Sequence, residues 1–224
     1  MRATLRPWAC WLCVAGMAVA WRAGATDVEC AASNTAVAPA YRQHVEAMDH
    51  RLGVADDYAE FHHLELMPQA ARLVDAGKDI QGRTVRLAPS AATALREMML
   101  AAESEGVTLQ IVSGYRSAEY QAELLRQKMH RGMPLESALR INTPPGYSEH
   151  QTGCAVDLTT PGAAATESSF ADTAAYRWLQ RHGPEYGFRL SYPSGNPNGI
   201  EFEPWHWRYA ATTPTASFPR KPIP

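Results

Sequence analysis

The segment at residues 107–112 (VTLQIV) constrains the fold most, because its side chains alternate in polarity along the chain. Such alternation predicts a strand with one buried face. Helical patterns flank it: Ser90 opens one over 90–105, and Ser117 caps another over 118–131. Further strands are predicted at 154–158, 187–192 and 200–209, and a further helix at 173–182.

Short strands interleaved with helices indicate an α+β domain, in which helices cover a small, mainly antiparallel sheet. An Asn-Pro-Asn-Gly turn at 196–199 predicts that the last two strands form a hairpin. A chain of 224 residues, 46% of them hydrophobic, can bury one good core. We therefore expect one main domain and a monomer.

The first 25 residues have the layout of a secretory signal peptide. Arg2 and Arg6 precede an uncharged, largely apolar run at 8–21, and small residues follow at 23–25. The run has 14 residues, whereas a membrane helix needs about 20. We expect export across the inner membrane to the periplasm and no integral membrane segment after cleavage; an uncleaved anchor is the alternative.

Cleavage after residue 25 removes three arginines and no acidic residue, which leaves 18 basic and 23 acidic side chains. A net negative chain disfavours nucleic acid and anionic lipid as partners, because both require a basic surface. Cys30 and Cys154 are the two cysteines left in the exported chain. They predict either one disulfide or two buried thiols.

The rest of the chain divides into three parts. Residues 26–84 are predicted to form a helical region that packs on the core, with a helix over 58–76 and a loop or short hairpin over 75–86. Residues 85–211 form the predicted core domain. Residues 212–224 are rich in proline and are predicted to be a loose tail.

One candidate site begins at His150 and Asp157, which lie seven residues apart with Gly153 between them. Neutral imidazole and carboxylate oxygen are both ligands of zinc. The glycine would allow the backbone to turn so that the two side chains converge. Alone, such a pair more often forms a hydrogen bond or has no common role.

The segment at 201–209 (EFEPWHWRY) supplies His206, a third candidate ligand. Three protein ligands leave an open position for water, as a catalytic zinc site requires. Glu203, three residues earlier, is placed to accept a proton from that water, and Glu201 is its competitor. The same alternation also fits an edge strand, with the aromatic side chains on one face.

Arg116 lies in a third segment, SGYRS at 113–117, between the predicted strand and the next helix. Its guanidinium suits an anionic substrate group or a developing oxyanion. An arginine in this position is more often a surface charge. Adjacent His62 and His63 point about 100° apart on a helix and are interpreted as surface or packing residues.

Taken together, the three segments resemble the zinc D-alanyl-D-alanine carboxypeptidases related to the vancomycin-resistance enzymes, a family that shares its fold with the hedgehog signalling domain. The family pattern is S-G-Y-R-S, then S-x-H-x-x-G-x-A-x-D, then E-x-W-H. The chain matches it at 113–117, 148–157 and 203–206. The resemblance covers about residues 85–210 and implies a zinc site on the face of the sheet.

The resemblance also implies a role for each matching residue. His150, Asp157 and His206 are expected to bind Zn²⁺. Glu203 is expected to be the general base, and Arg116 to stabilise the intermediate or hold the substrate. The residues expected to bind substrate are Ser148, Gln121, Tyr115 and Ser113.

The implied activity is that of a D,D-carboxypeptidase that hydrolyses the terminal D-Ala-D-Ala bond of peptidoglycan stem peptides. An L,D-carboxypeptidase, a D-Ala-D-Ala dipeptidase and a peptidoglycan endopeptidase of the same family stay open, because the loops that shape the pocket cannot be derived from the sequence. A non-catalytic zinc-binding domain and a disulfide-stabilised domain without metal are the alternatives from other classes.

Overall fold

The computed structural model describes residue 30 and residues 37–210, so the predicted signal peptide at 1–25 and the predicted tail at 212–224 lie outside the described residues. The helices are α1 (Pro39–Leu52), α2 (Tyr58–Phe61), α3 (Pro89–Ser104), α4 (Ala118–His130), α5 (Leu135–Arg140) and α6 (Ala174–His182). The strands are β1 (Val74–Lys78), β2 (Thr84–Leu87), β3 (Gln110–Ser113), β4 (Ala155–Thr159), β5 (Phe188–Leu190) and β6 (His206–Tyr209). Short 3₁₀ helices lie at Glu149–Thr152, Ser168–Asp172 and Gly183–Tyr186.

The main sheet has four strands in the order β3-β4-β6-β5, and each neighbouring pair is antiparallel. β1 and β2 form a separate antiparallel pair. This arrangement confirms the predicted α+β fold with a small antiparallel sheet. In the register of the main sheet, Asp157 on β4 lies opposite Ser113 on β3 and His206 on β6.

Two hydrophobic clusters hold the helices in place. The larger one packs α3 and α6 against the sheet through side chains such as Leu95, Val156, Leu158 and Trp178. The smaller one joins α1, α4 and α5. Because side chains alternate along a strand, Val156 and Leu158 point into the larger cluster while Asp157 points to the opposite face.

The predicted helix over 58–76 is wrong beyond its first residues, since α2 ends at Phe61. Pro68 lacks a backbone donor and restricts the residue before it, which disfavours a helix here. The backbone of this segment bonds to other loops: Met67 N donates to Gly146 O at 2.7 Å and Ala70 N to Gln151 O at 2.8 Å. The hairpin predicted within 75–86 is confirmed by β1 and β2.

Helix caps were predicted with mixed success. Ser117 Oγ accepts from Tyr120 N, which confirms the cap of α4, and Thr173 caps α6 in the same way. The expectation that Ser90 opens α3 is wrong, because the helix begins at Pro89. Proline is favoured in that first position, since it has no donor to leave unpaired and its φ already suits a helix.

Strand boundaries differ from the prediction at both ends of the main sheet. β3 begins three residues late because Val107 N still bonds to Ala102 O at the end of α3. The strand predicted over 200–209 begins only at His206. Before it, Glu201 N donates to Arg140 O and Glu203 N donates to Tyr192 O, so these backbone donors bond to residues outside the strands.

A disulfide joins Cys30 to Cys154, with a Cα–Cα distance of 5.8 Å. Both residues are buried. Cys154 directly precedes β4, so the crosslink ties the chain at residue 30 to the strand that presents Asp157. The disulfide alternative is thereby confirmed over the two unpaired thiols.

Removal of this crosslink is expected to destabilise the protein. The Cys30→Ala/Cys154→Ala variant should lose about 2–4 kcal/mol in free energy of unfolding, because the bond constrains a long loop of the unfolded chain. Denaturant unfolding of both proteins under oxidising conditions measures the difference. Under reducing conditions the wild type should approach the variant, and equal stability under oxidising conditions would contradict the prediction.

Among the described residues, no helix combines the length and apolar character that crossing a membrane requires.

Candidate metal centre

Three buried side chains converge from different elements. His150 lies in the 3₁₀ helix Glu149–Thr152, Asp157 at the centre of β4 and His206 at the start of β6. One ligand atom from each lies within 4.8 Å of the others. Asp157 Oδ1 is 3.3 Å from His150 Nε2 and 3.1 Å from His206 Nδ1. The three predicted ligands therefore form one cluster.

Gly153 makes the turn between the first two ligands possible. Its φ is +70°, a conformation that glycine adopts without cost. A Cβ at this position would lie 2.9 Å from Ala88 N, so any larger residue would force the backbone apart. The turn sends the chain from His150 into β4, where pairing with β6 sets Asp157 opposite His206.

His150 is held in the form that binds a metal. Its Nδ1 lies 2.6 Å from Gly114 O, a carbonyl that can only accept, so Nδ1 carries the proton. Its Nε2 is buried and has no hydrogen-bond partner among the described residues. Burial, together with the charge of Arg116, lowers the pKa of His150 to about 4. The ring is therefore neutral near pH 7 and offers a free lone pair to the cluster.

His206 lies between two carboxylates. Its Nδ1 faces Asp157 Oδ1, and its Nε2 is 2.8 Å from Glu149 Oε2. Burial alone would lower its pKa, but the hydrogen bonds and charges of Asp157 and Glu149 raise the pKa to about 10. For Asp157 burial acts in the opposite direction and would raise the pKa. The two histidines and Arg116 nevertheless hold the pKa of Asp157 well below its usual value.

This donor set fits a metal ion. Two imidazole nitrogens and one carboxylate oxygen, all buried, are the ligand types of catalytic zinc sites. The carboxylate is ionised, and His150 Nε2 is an orphaned buried acceptor that an ion would satisfy.

Glu203 lies beside the cluster, with Oε2 3.9 Å from His206 Nδ1. Burial raises its pKa to about 7, although the charge of His206 opposes the shift. Glu201 is different: its side chain is 53% exposed and faces Arg140 at 3.5 Å. Of the two glutamates that compete in the sequence, the structure brings only Glu203 to the cluster.

Arg116 lies on the other side of Asp157. Its Nη1 is 3.6 Å from Asp157 Oδ2, and its backbone N donates to His150 O. Its Nε is buried without a hydrogen-bond partner among the described residues. The guanidinium therefore keeps donors available for a further anionic group.

An open cavity lies beside the cluster and is lined by both of its histidines. Six predicted site residues line it, namely Arg116, Gln121, Ser148, His150, Glu203 and His206. The remaining lining residues are Ile141, Asn142, Thr143, Tyr192 and Ile200, and none of them was predicted from the sequence. The cavity brings the two histidines of the candidate metal cluster, one carboxylate and one guanidinium into a single space.

The sequence matches the family model described as VanY, D-alanyl-D-alanine carboxypeptidase, over residues 84–212, which is more than half of the chain. The chain belongs to the VanY family.

Two relatives show how much of the chain this similarity covers. YodJ of Bacillus subtilis is 37% identical over 134 residues, 58% of this chain and 48% of YodJ. A D-alanyl-D-alanine carboxypeptidase of Enterococcus faecalis is 34% identical over 125 residues, 51% of this chain and 45% of that protein. The chain thus spans about half the length of these VanY-type relatives.

Solved structures show the same fold. The LD-carboxypeptidase LdcB is 32% identical with a TM-score of 0.58, over 63% of this chain and 69% of that one. A mutant of the vancomycin-resistance D,D-pentapeptidase VanY, in complex with Zn(II), is 28% identical with a TM-score of 0.52, over 66% of this chain and 85% of that one. The α+β architecture described above is therefore that of the VanY peptidases.

Two predicted substrate residues of this VanY chain lie outside the cavity lining. Ser113 lies on β3 opposite Asp157. Tyr115 N donates to Arg86 O, and its hydroxyl accepts from Gln69 Nε2 at 3.4 Å. Both flank the turn that delivers Arg116, and their predicted role in substrate binding stays a prediction.

Two residues near the centre were not predicted from the sequence. Tyr192 packs its ring against His206 at a centroid distance of 4.9 Å, and no local pattern distinguishes it in its loop. Glu149 is buried beside His206, and its place next to His150 in the second VanY motif was an available signal. Burial acts to raise the pKa of Glu149, but His206, Arg208 and Ser191 lower it to about 2.

Proposed function

We propose that this chain is a zinc-dependent D,D-carboxypeptidase that removes the terminal D-Ala from peptidoglycan stem peptides. The observation that carries the proposal is the cluster of His150, Asp157 and His206, whose two histidines line a cavity together with Glu203 and Arg116. The matched VanY family and the VanY structure in complex with Zn(II) support the activity and the metal.

The three ligand residues would hold Zn²⁺, which supplies polarisation of the scissile carbonyl and of a bound water. Glu203 accepts a proton from the attacking water as oxygen adds to the carbonyl carbon. When the carbon–nitrogen bond breaks, Glu203 returns that proton to the leaving amine of D-Ala. Its pKa of about 7 suits both transfers near neutral pH.

Arg116 is proposed to bind negative charge on the substrate. Its guanidinium lines the cavity beside Asp157, and its buried Nε has no partner among the described residues. Either the terminal carboxylate or the developing oxyanion can accept these donors. Ser113 and Tyr115 are proposed to act on the substrate through the turn that places Arg116.

Gln121 and Ser148 are proposed to bind the peptide. The Gln121 side chain is buried, and its Nε2 donates to Thr143 O at 2.9 Å. Its Oε1 has no hydrogen-bond partner among the described residues, so it can accept from a substrate N–H. Ser148 lines the same cavity next to the ligand turn.

We propose that the enzyme acts outside the cytoplasm, where peptidoglycan lies. The predicted signal peptide at 1–25 and export to the periplasm agree with such a substrate. Within the mature chain, residues 85–211 are proposed as the catalytic domain, with residues 26–84 packed on it. The contacts between helices α1 and α4 support this packing.

An L,D-carboxypeptidase is the second candidate, favoured by the structural similarity to LdcB. The two activities differ in the residue that precedes the scissile bond. A D,D-enzyme cleaves a pentapeptide stem that ends in D-Ala-D-Ala, whereas an L,D-enzyme cleaves a tetrapeptide stem in which an L-residue precedes D-Ala.

The test is mass spectrometry of products from defined substrates with the zinc-loaded protein. We expect the pentapeptide stem to lose one D-Ala, and a chelator to prevent the loss. Free D-Ala-D-Ala, the tetrapeptide stem and a crosslinked dimer should be cleaved more slowly. Cleavage of the tetrapeptide alone would identify the L,D-enzyme, and zinc binding without cleavage of any substrate would indicate a binding domain.

A further inference from the structure

Glu149 reaches a metal ligand that is distant in the sequence. It begins the 3₁₀ helix that contains His150, yet its carboxylate accepts a hydrogen bond from His206, 57 residues later, at 2.8 Å. Glu149 is only 8% exposed. Glu149, the chain neighbour of His150, thus contacts His206 on one ring nitrogen, while Asp157 contacts the other.

The orientation of this carboxylate is set by donors on both of its oxygens. Ser191 Oγ donates to Oε2 at 2.6 Å, and Arg208 Nη1 donates to Oε1 at 3.0 Å. Ser191 follows β5, and Arg208 lies on β6 two residues after His206. A buried carboxylate is costly unless it is hydrogen-bonded, and here each oxygen has a donor.

The two ring nitrogens of His206 face in different directions. Nδ1 faces Asp157 and the ligand cluster, and Nε2 faces Glu149. Both nitrogens face a carboxylate oxygen, which only accepts, so a metal at Nδ1 would take the place of a proton there while Nε2 keeps its proton toward Glu149. A carboxylate behind a ligand histidine fixes the ring and increases the basicity of the ligating nitrogen.

We propose that Glu149 is a positioning residue that orients His206 and strengthens its bond to the metal. The proposal rests on the proposed zinc function. Glu149 does not line the cavity, unlike Glu203, and is not part of the ligand cluster found among the described residues. It therefore acts on the metal through His206 and does not contact the substrate.

The test compares Glu149→Gln with the wild type by zinc competition against a chromophoric chelator. Glutamine keeps the shape and one acceptor oxygen but removes the charge. We expect zinc affinity to fall by about 10–100-fold. At saturating zinc, we expect kcat for the pentapeptide stem to fall while KM stays unchanged, because Glu149 lies outside the cavity.

Glu185→Gln is the matched control. Glu185 also faces a histidine, since its Oε1 is 3.2 Å from His182 Nδ1, but this pair lies on the surface away from the cluster. The control should bind zinc as the wild type does. Circular dichroism and thermal unfolding of both variants distinguish a loss of zinc affinity from a loss of fold.

Each outcome separates the two proposals. Equal zinc affinity in folded Glu149→Gln and wild type overturns the role of Glu149 and leaves the peptidase intact. Zinc binding by the wild type without cleavage of any stem peptide overturns the proposed activity, while a weakened Glu149→Gln site still supports the positioning role. A wild type that binds no zinc overturns both.

Discussion

Replacing Glu203 with glutamine should abolish peptidase activity while the protein keeps its metal. The carboxylate lies 3.9 Å from His206 Nδ1 and is buried enough that its pKa rises to about 7. Glutamine has nearly the same shape but cannot accept a proton from water. We expect kcat on the pentapeptide stem to fall by about 10³-fold, a typical loss for general-base catalysis. Product release by mass spectrometry and zinc content by elemental analysis measure the two effects.

Glu201→Gln is the matched control for this experiment. Glu201 lies two residues away in the same segment, but its side chain is exposed and pairs with Arg140. Its replacement should leave kcat within about twofold of the wild type, as surface substitutions usually have small effects. If Glu201→Gln were inactive and Glu203→Gln active, the assignment of the base would be reversed.

Replacing His150 with alanine should remove both zinc and activity. His150 is fully buried, and its Nε2 is the ligand atom that lacks a hydrogen-bond partner among the described residues. Two ligands would remain, fewer than the three protein ligands of a catalytic zinc site. We expect zinc content to fall from one ion per chain to a trace, and D-Ala release to be lost with it.

His44→Ala provides the comparison, because His44 is about half exposed and pairs with Glu119 on the surface. It should retain zinc and activity. Unfolding measurements are needed beside the metal analysis, because removal of a buried ring also leaves a cavity. Such a cavity lowers the free energy of unfolding by about 2–4 kcal/mol. Full zinc occupancy in a folded His150→Ala protein would show that the metal binds elsewhere.

Much of the candidate site could be predicted because its chemistry lies in three short segments. Each segment is a weak indication alone, and their order and spacing together indicated the VanY family. The structure brings His150, Asp157 and His206 within 4.8 Å, as that interpretation requires. It also separates Glu203 from Glu201, which the sequence alone left as competitors.

The fold was predicted well where a local pattern dictates a local structure. Ser117 and Thr173 cap helices through their own side chains, and the turn-rich segment at 75–86 forms a hairpin. The helix predicted over 58–76 is wrong because contacts with distant segments override the local pattern there. Apolar spacing there suggested a helix, but the backbone donors of Met67 and Ala70 bond to loops of the site.

Sequence patterns were sufficient to identify the ligand types, their order along the chain and the glycine at 153 that allows the turn between two of them. The folded structure was needed to find that Glu149 lies behind His206, that Tyr192 packs on the same ring and that residues near 142 and 200 line the cavity. The physical reason is that sheet pairing and core packing, rather than any local pattern, bring side chains from distant segments into contact.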